Sequence, residues 1–551
     1  MENVKIFGLG GLDENGKNMY VIEIDEDIFI IECGLKYPNE STQLGVEKVI
    51  PDFSYLVKNK DRVKGIFITH GHIDVMGALT NLIRVVDADI YATPLTTYMI
   101  KNMFKEEKMK LPMIHKIKRN SNFKIGNVNF KTFGVTQSIP DAYGIAISTK
   151  FGDIVYTSEF IVDYDVIGNN SDFDIYNVVE IGKEGVLALL TESIGTARKG
   201  YTSPNHRLQP LIESNFEEEN RIFITLYYQN FYHVMEVLDL AQKYNKKVYI
   251  QDVKLKALLN EIDKLGYYSV NNSNFISDEE FNNDMTNIVV IISGIGKKVY
   301  EHMHKIANGE SSTFDLKEQD TVILATPAIP GTEKIATKME NDLYKEVDKV
   351  VRIGRKEVYS MHATIEDIKM MLNLMKPKYF IPVKGEYRHL ISNANIATNL
   401  GYKPNEIVIL DNGQIAKFNN GHLISTKEHL ELNDNLIDGK SKLDDTGMVI
   451  RDREIFSTDG VIIVGVALDF YTKEIVGGPD VQSRGVIYLK EADYIVKELG
   501  DIMSKTIEDA VANKTYNNMD ARFNARDKMI KYINKETNKR PMVLTSIVEI
   551  R

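Results

Sequence analysis

The sequence predicts an α/β protein of several domains, and three observations carry that prediction. Short apolar runs rich in β-branched residues alternate with helix-period segments through most of the chain. Its 551 residues exceed what one hydrophobic core usually serves. Hydrophobic residues make up 43% and charged residues 26%, a balance that excludes disordered and membrane-embedded classes.

Residues 1–206 alternate strands and short helices. The opening hairpin carries Gly8-Leu9-Gly10-Gly11, which is no dinucleotide fingerprint: the third glycine is missing at the required spacing, and strand-like Met19–Ile24 follows instead of a helix. Residues 28–33 read as a further strand. Val63-Lys64-Gly65-Ile66-Phe67-Ile68-Thr69 reads as a buried strand delivering a loop to a sheet edge. From 207 to 357 helix-like and strand-like segments alternate, as in 232–244 before Lys247–Ile250, which predicts an α/β layer. Residues 358–428 return to the first domain. Residues 429–449, with Asp-Asn, Asp-Gly and Asp-Asp steps, read as a linker. Beyond it, strand-like 460–466, helical 491–511 and strand-like Met542–Ile550 describe a small α/β domain over 450–551. No repeat of solenoid period is visible.

The loop Thr69-His70-Gly71-His72-Ile73-Asp74-Val75 carries the chemistry. Imidazoles two residues apart on a tight loop can converge on one cation, and a carboxylate two further on can reach a second, the layout of a two-metal hydrolytic site. A lone His-Gly-His is weak evidence, so longer blocks decide. These are residues 18–23, Ile50-Pro51-Asp52-Phe53, Gln137-Ser138-Ile139-Pro140-Asp141-Ala142-Tyr143-Gly144, Ala325-Thr326-Pro327-Ala328-Ile329-Pro330-Gly331, residues 371–388, and Gly477-Gly478-Pro479-Asp480-Val481-Gln482-Ser483-Arg484-Gly485. On these blocks, in their order, the chain resembles the ribonuclease J family over essentially its full length, and within it the second, catalytically degenerate paralogue of Gram-positive bacteria.

The resemblance implies a metallo-β-lactamase αββα sandwich (1–206 and 358–428) with an inserted β-CASP α/β domain (207–357) and the small C-terminal α/β domain. The family uses two divalent metal ions. Carried over residue by residue, the ligands His70, His72 and Asp74 are retained, whereas Val75, Gln137 and Lys384 stand where the family has histidines, and Glu159 stands for its bridging aspartate. His70, His72, Asp74 and Glu159 are thus a remnant metal set, and the expected content is none or substoichiometric zinc or manganese. An ammonium at Lys384 among Asp74 and Glu159 offsets their repulsion without an ion. Asp74 and His362 occupy the catalytic positions. Val358, Tyr359, Ser360, Met361 and His362 match the family's phosphate-binding block, with Val358 removing a donor and Met361 replacing a glycine. Of the terminal-phosphate cradle only Asn230 holds its place, and Glu192 replaces the aspartate that opens another block.

Three readings follow. In the first, the chain is a ribonuclease J-type subunit of mRNA turnover and rRNA maturation, weak or inactive alone and acting with a catalytic ribonuclease J paralogue. In the second, it is a 5′-to-3′ exoribonuclease and endoribonuclease working through the remnant site. In the third, it is a structural component of an RNA-degradation assembly that no longer contacts RNA. RNA is the implied partner in the first two. A homodimer through the C-terminal domain and membership of an RNA degradosome also follow from the resemblance.

The net charge of −11 argues against wholesale coating by nucleic acid, because phosphate contacts need lysine and arginine. Local clusters at residues 115–119, Gly296-Lys297-Lys298 and Arg352-Ile353-Gly354-Arg355-Lys356 could line an RNA path, the last directly before Ser360. Cys33, the only cysteine, cannot form an internal disulfide, which suits a reducing cytoplasm. No signal peptide opens the chain and no apolar run nears the length of a membrane span, so no membrane association is expected.

Overall fold

Two β-sheets packed face to face form the core of the first compact unit, residues 1–37 with 48–435. The computed structural model describes residues 2–38, 43–329, 332–439, 441–442, 447–486 and 493–551. One sheet has eight strands, ordered His422–His429, Gln414–Asn419, Asn3–Gly10, Met19–Ile24, Asp27–Ile31, Val63–Ile68, Ile90–Ala92 and Ile114–Lys116. The other has six: Tyr379–Val383, Val186–Glu192, Gly152–Tyr156, Tyr143–Thr149, Val128–Gly134 and Asn122–Ile125. Alternation sorts their side chains. Ile22, Phe29, Ile31 and Phe67 of the first meet Phe130, Ile145, Tyr156 and Ile381 of the second in one apolar cluster. The alternate residues Ile28, Ile30, Ile66 and Ile68 are buried too, so that face is also covered. Helices Ile175–Glu184 and Ile365–Met375 cover the outer face of the second sheet through Val178, Ile181, Ile368 and Met371. The architecture is the expected αββα sandwich, and strands Tyr379–Val383, Gln414–Asn419 and His422–His429 lie in its two sheets.

The insertion is an all-parallel five-stranded sheet in the order Lys247–Ile250, Ile288–Gly294, Arg221–Tyr227, Thr321–Leu324, Lys349–Arg352. Parallel strands need crossovers. Helices Phe231–Lys243 and Val253–Lys264 pack on one face against Ile222, Ile224 and Ile291, while Lys298–Ala307 and Glu333–Glu346 pack on the other against Phe223, Val290 and Val322. Both faces are therefore apolar, which is why these strands read as continuous hydrophobic runs.

The second unit, residues 38–47 with 436–551, contains a three-stranded sheet, Ile475–Arg484, Val461–Asp469 and Met542–Ile550. Helices Asp493–Ala512 and Asn518–Thr537 bury Leu499, Met503, Ala525 and Met529 on one face against Ile462, Val464 and Val543. The opposite face is exposed and apolar: Ile463 lies beside Leu544 in register, and Ala467 beside Val548.

Three expectations shift. The strand expected over 28–33 spans Asp27–Ile31. Within the expected linker 429–449, Asn435–Asp438 and Ser441–Lys442 are paired strands, so the Asp438-Gly439 step marks a hairpin turn rather than loose chain. The first residues of the expected helix 491–511 lie outside the described residues, as do Pro330, Gly331 and linker residues 440 and 443–446.

Candidate functional site

The carboxyl ends of five strands converge. Val63–Ile68 leads to His70, His72 and Asp74, Val128–Gly134 to Gln137, Gly152–Tyr156 to Glu159, Val186–Glu192 ends at Glu192 itself, and Tyr379–Val383 leads to Lys384. Side chains far apart in sequence thereby meet on rigid supports.

Asp74 sits in a four-residue helix, Ile73–Met76, whose backbone is held from below. Its carbonyl accepts from the Asn18 backbone N–H (3.2 Å) and side-chain amide (2.9 Å), and a Cβ at Gly34 would stand 1.7 Å from it. Only glycine fits at 34. Asp74 Oδ2 accepts from Asn18 at 3.1 Å and from the Lys384 ammonium at 2.6 Å. The same ammonium contacts Glu159 Oε1. Lys384 is 1% exposed with left-handed backbone (φ 55°), a conformation that tertiary structure must enforce; here its carbonyl accepts from Ser193 N–H at 3.0 Å. Burial alone would raise the Asp74 pKa, but the Lys384 charge outweighs it and holds the carboxyl well below the usual range. Val75 is fully buried and offers no donor.

His70, His72 and Glu159 form a group able to hold a metal ion, with ligand atoms within 4.8 Å of one another. His70 Nδ1 lies against the Thr69 and Ser158 hydroxyls (3.0 and 3.3 Å), and its buried Nε2 has no hydrogen-bond partner among the described residues. His72 Nε2 meets the Gln229 carbonyl at 3.1 Å, which leaves Nδ1 facing the site. Burial lowers the pKa of His70 far below its usual value and that of His72 to about 4, so both rings are neutral at pH 7. That much suits one cation. Gln137 does not: the Ile139 N–H and the Ser138 hydroxyl both donate to its Oε1 at 3.0 Å, so its amide N–H₂ faces inward, to Glu159 Oε2 (2.8 Å) and His72 Nδ1 (3.2 Å). A donor and an ammonium thus occupy the carboxylates and the ring nitrogen that a pair of cations would need. The residues do not fit a two-metal centre.

His362 lies at the rim. Its Nδ1 is 2.7 Å from Glu192 Oε2, while Glu192 Oε1 accepts from the Phe160 and Ala363 N–H groups at 2.9 and 3.0 Å. Burial pulls the His362 pKa down, but the Glu192 carboxylate overrides it and raises the net value. Of the block grouped for RNA, Ser360 is exposed and Tyr359 half-buried. Val358 and Met361 are each 4% exposed and pack in the apolar cluster under the inserted sheet, so their side chains face the core and not the rim. Asn230 caps helix Phe231–Lys243, its Oδ1 accepting from His233 N–H at 3.3 Å. Glu192, Ser138, Asn18 and the Gln229 carbonyl were not among the expected site residues. A backbone carbonyl leaves no trace in sequence, and Glu192 showed only as a replaced aspartate.

The metallo-β-lactamase superfamily model matches residues 12–136, and the ribonuclease J β-CASP domain matches 219–343. The Zn-dependent metallo-hydrolase RNA specificity domain matches 346–408, and the ribonuclease J C-terminal domain 448–550. The chain is 33% identical to ribonuclease J 2 of Staphylococcus epidermidis and of Staphylococcus aureus, over 100% of its length and 99% of theirs. A crystal structure of a protein of unknown function from Enterococcus faecalis V583 shares the fold at a TM-score of 0.53 and 14% identity, covering 76% of this chain and 100% of that one.

Proposed function

The chain belongs to the ribonuclease J family, and from that premise we propose that it is an RNA-processing subunit that cleaves little or nothing alone and acts beside a catalytically competent ribonuclease J. The observation that carries this reading is the buried Lys384 ammonium between Asp74 and Glu159. A metal-bound water reaches a useful pKa only through the ion's charge, and an ammonium on the same carboxylates supplies charge but binds no water as a Lewis acid. Asp74 and His362 keep their places. Glu192 orients the His362 ring, and Asn18 orients Asp74.

The partner in this reading is RNA, together with the competent paralogue, within an RNA degradosome in the cytoplasm. Homodimers form through the C-terminal sheet, whose exposed face carries Ile463, Leu544 and Val548. Among the described residues no helix is long and apolar enough to cross a membrane. The unpartnered Nε2 of His70 favours a second reading, a one-metal hydrolase in which His70, His72 and Glu159 would hold a zinc or manganese ion. Elemental analysis of the purified chain, beside 5′-to-3′ degradation of monophosphorylated RNA with and without a competent ribonuclease J, separates the two. Less than one metal per chain and no cleavage alone are expected. Tightly held metal with activity matching the competent enzyme would overturn the subunit reading.

A further inference from the structure

Segments 195–205 and 354–366 lie side by side at the exposed border of the site. Tyr359 N–H donates to the Asn205 carbonyl (2.8 Å), Ile365 N–H to Arg198 (3.2 Å) and Glu366 N–H to Gly200 (3.1 Å). The Arg198 guanidinium donates to the Arg355 carbonyl at 3.4 Å, and its carbon lies over the Tyr359 ring, 4.5 Å from the centre. Lys199, Tyr201, Arg355, Lys356 and Ser360 are exposed along this strip. The nearby acids are partly engaged: Glu357 accepts from Gly354 N–H at 2.6 Å and Glu366 pairs with Lys369 at 2.8 Å. On a chain of net charge −11, a strip of four cations around a tyrosine is a local exception. It ends two residues from His362.

We infer that this strip is a landing platform for single-stranded RNA, leading the strand to His362. The inference rests on the reading above that the chain binds RNA. A base stacks on Tyr359, whose ring Arg198 backs and stiffens. Phosphates pair with Lys199, Arg355 and Lys356. Duplex RNA offers no unstacked base and is bound less well.

The test is fluorescence anisotropy on the full chain with a 3′-labelled twelve-nucleotide RNA, single-stranded and as a duplex. Tyr359→Ala is expected to weaken single-strand binding about tenfold while Tyr359→Phe preserves it. Arg355→Ala with Lys356→Ala, both exposed and safe for folding, is expected to lower the slope of log affinity against log salt by about two. Thermal unfolding checks that the variants fold. If the unmodified chain binds neither RNA, the RNA-binding reading itself fails. If it binds and these variants bind unchanged, or if duplex binds as tightly as single strand, the platform is wrong and the broader reading stands.

Discussion

Two buried ion pairs sit at opposite ends of parallel strands, and they are built differently. At the amino ends of Arg221–Tyr227 and Thr321–Leu324, Arg221 grips Asp320 through two parallel hydrogen bonds of 2.9 and 2.6 Å, and its remaining donors reach the Asn283 and Asp315 carbonyls at 2.7 Å. One cation answers one anion, with every lobe satisfied. At the carboxyl ends in the candidate site, the single Lys384 ammonium answers both Asp74 and Glu159. That site keeps a negative excess, a charge pattern that a divalent ion would balance. The first pair is a staple of the sheet. The second, on the reading proposed above, is a metal site whose ion is replaced by a side chain.

The comparison can be broken most forcefully by rebuilding the ligands. Val75→His, Gln137→His, Glu159→Asp and Lys384→His together are expected to raise manganese-dependent degradation of monophosphorylated RNA about a hundredfold or more, with none of the single changes doing so. A single change that matched the quadruple variant would show that the replaced residues do not act as one unit.

Next in size is the staple. Arg221→Met leaves Asp320 buried without its partner and is expected to cost about 3–5 kcal/mol in urea unfolding, unchanged by added zinc or manganese. Lys384→Met is expected to cost about 3 kcal/mol, with much of the loss recovered in millimolar manganese. Equal insensitivity to metal in both variants would erase the distinction drawn above. The acid limb sharpens it further: Asp74, held below its usual pKa, contributes fully above about pH 4 and loses that contribution as pH falls toward its depressed value. Lys384→Met should therefore flatten the fall in stability below pH 4.

The smallest effect concerns Glu32, which lies beneath the ligand loop. Burial pushes its carboxyl up to about 8, against hydrogen bonds from the Thr69 N–H and hydroxyl. Folding therefore takes up a proton between the ordinary carboxyl pKa and pH 8, so stability declines across that window. Glu32→Gln mimics the protonated form and should gain about 1–2 kcal/mol at pH 7.5 relative to pH 5. An unchanged pH slope in thermal melts counts against a protonated Glu32.

The site was legible where chemistry is written in single residues. His70, His72, Asp74, Gln137, Glu159 and Lys384, each singled out in the sequence, lie together in space, and Lys384 contacts both Asp74 and Glu159. Legibility failed where the fold reassigns a motif: Val358 and Met361 sit in the matched block but face the core, because the segment around them alternates between the apolar cluster and the rim. Helix Asn518–Thr537 was missed although Ala521, Ala525, Met529 and Ile533 recur every four residues; its other faces are polar enough to mask the stripe. Strand Asn435–Asp438 was masked by the turn residues beside it.

The mutual grip of Gln137, Glu159 and Lys384 has a historical side. Restoring histidine at 137 removes the amide bonded to Glu159, restoring it at 384 strips both carboxylates of their cation, and shortening Glu159 pulls it away from both. Each step back alone lowers stability unless a bound ion offsets the lost contacts. On the reading proposed above, reversion one codon at a time runs uphill, and the cluster would work as a ratchet against regaining metal chemistry.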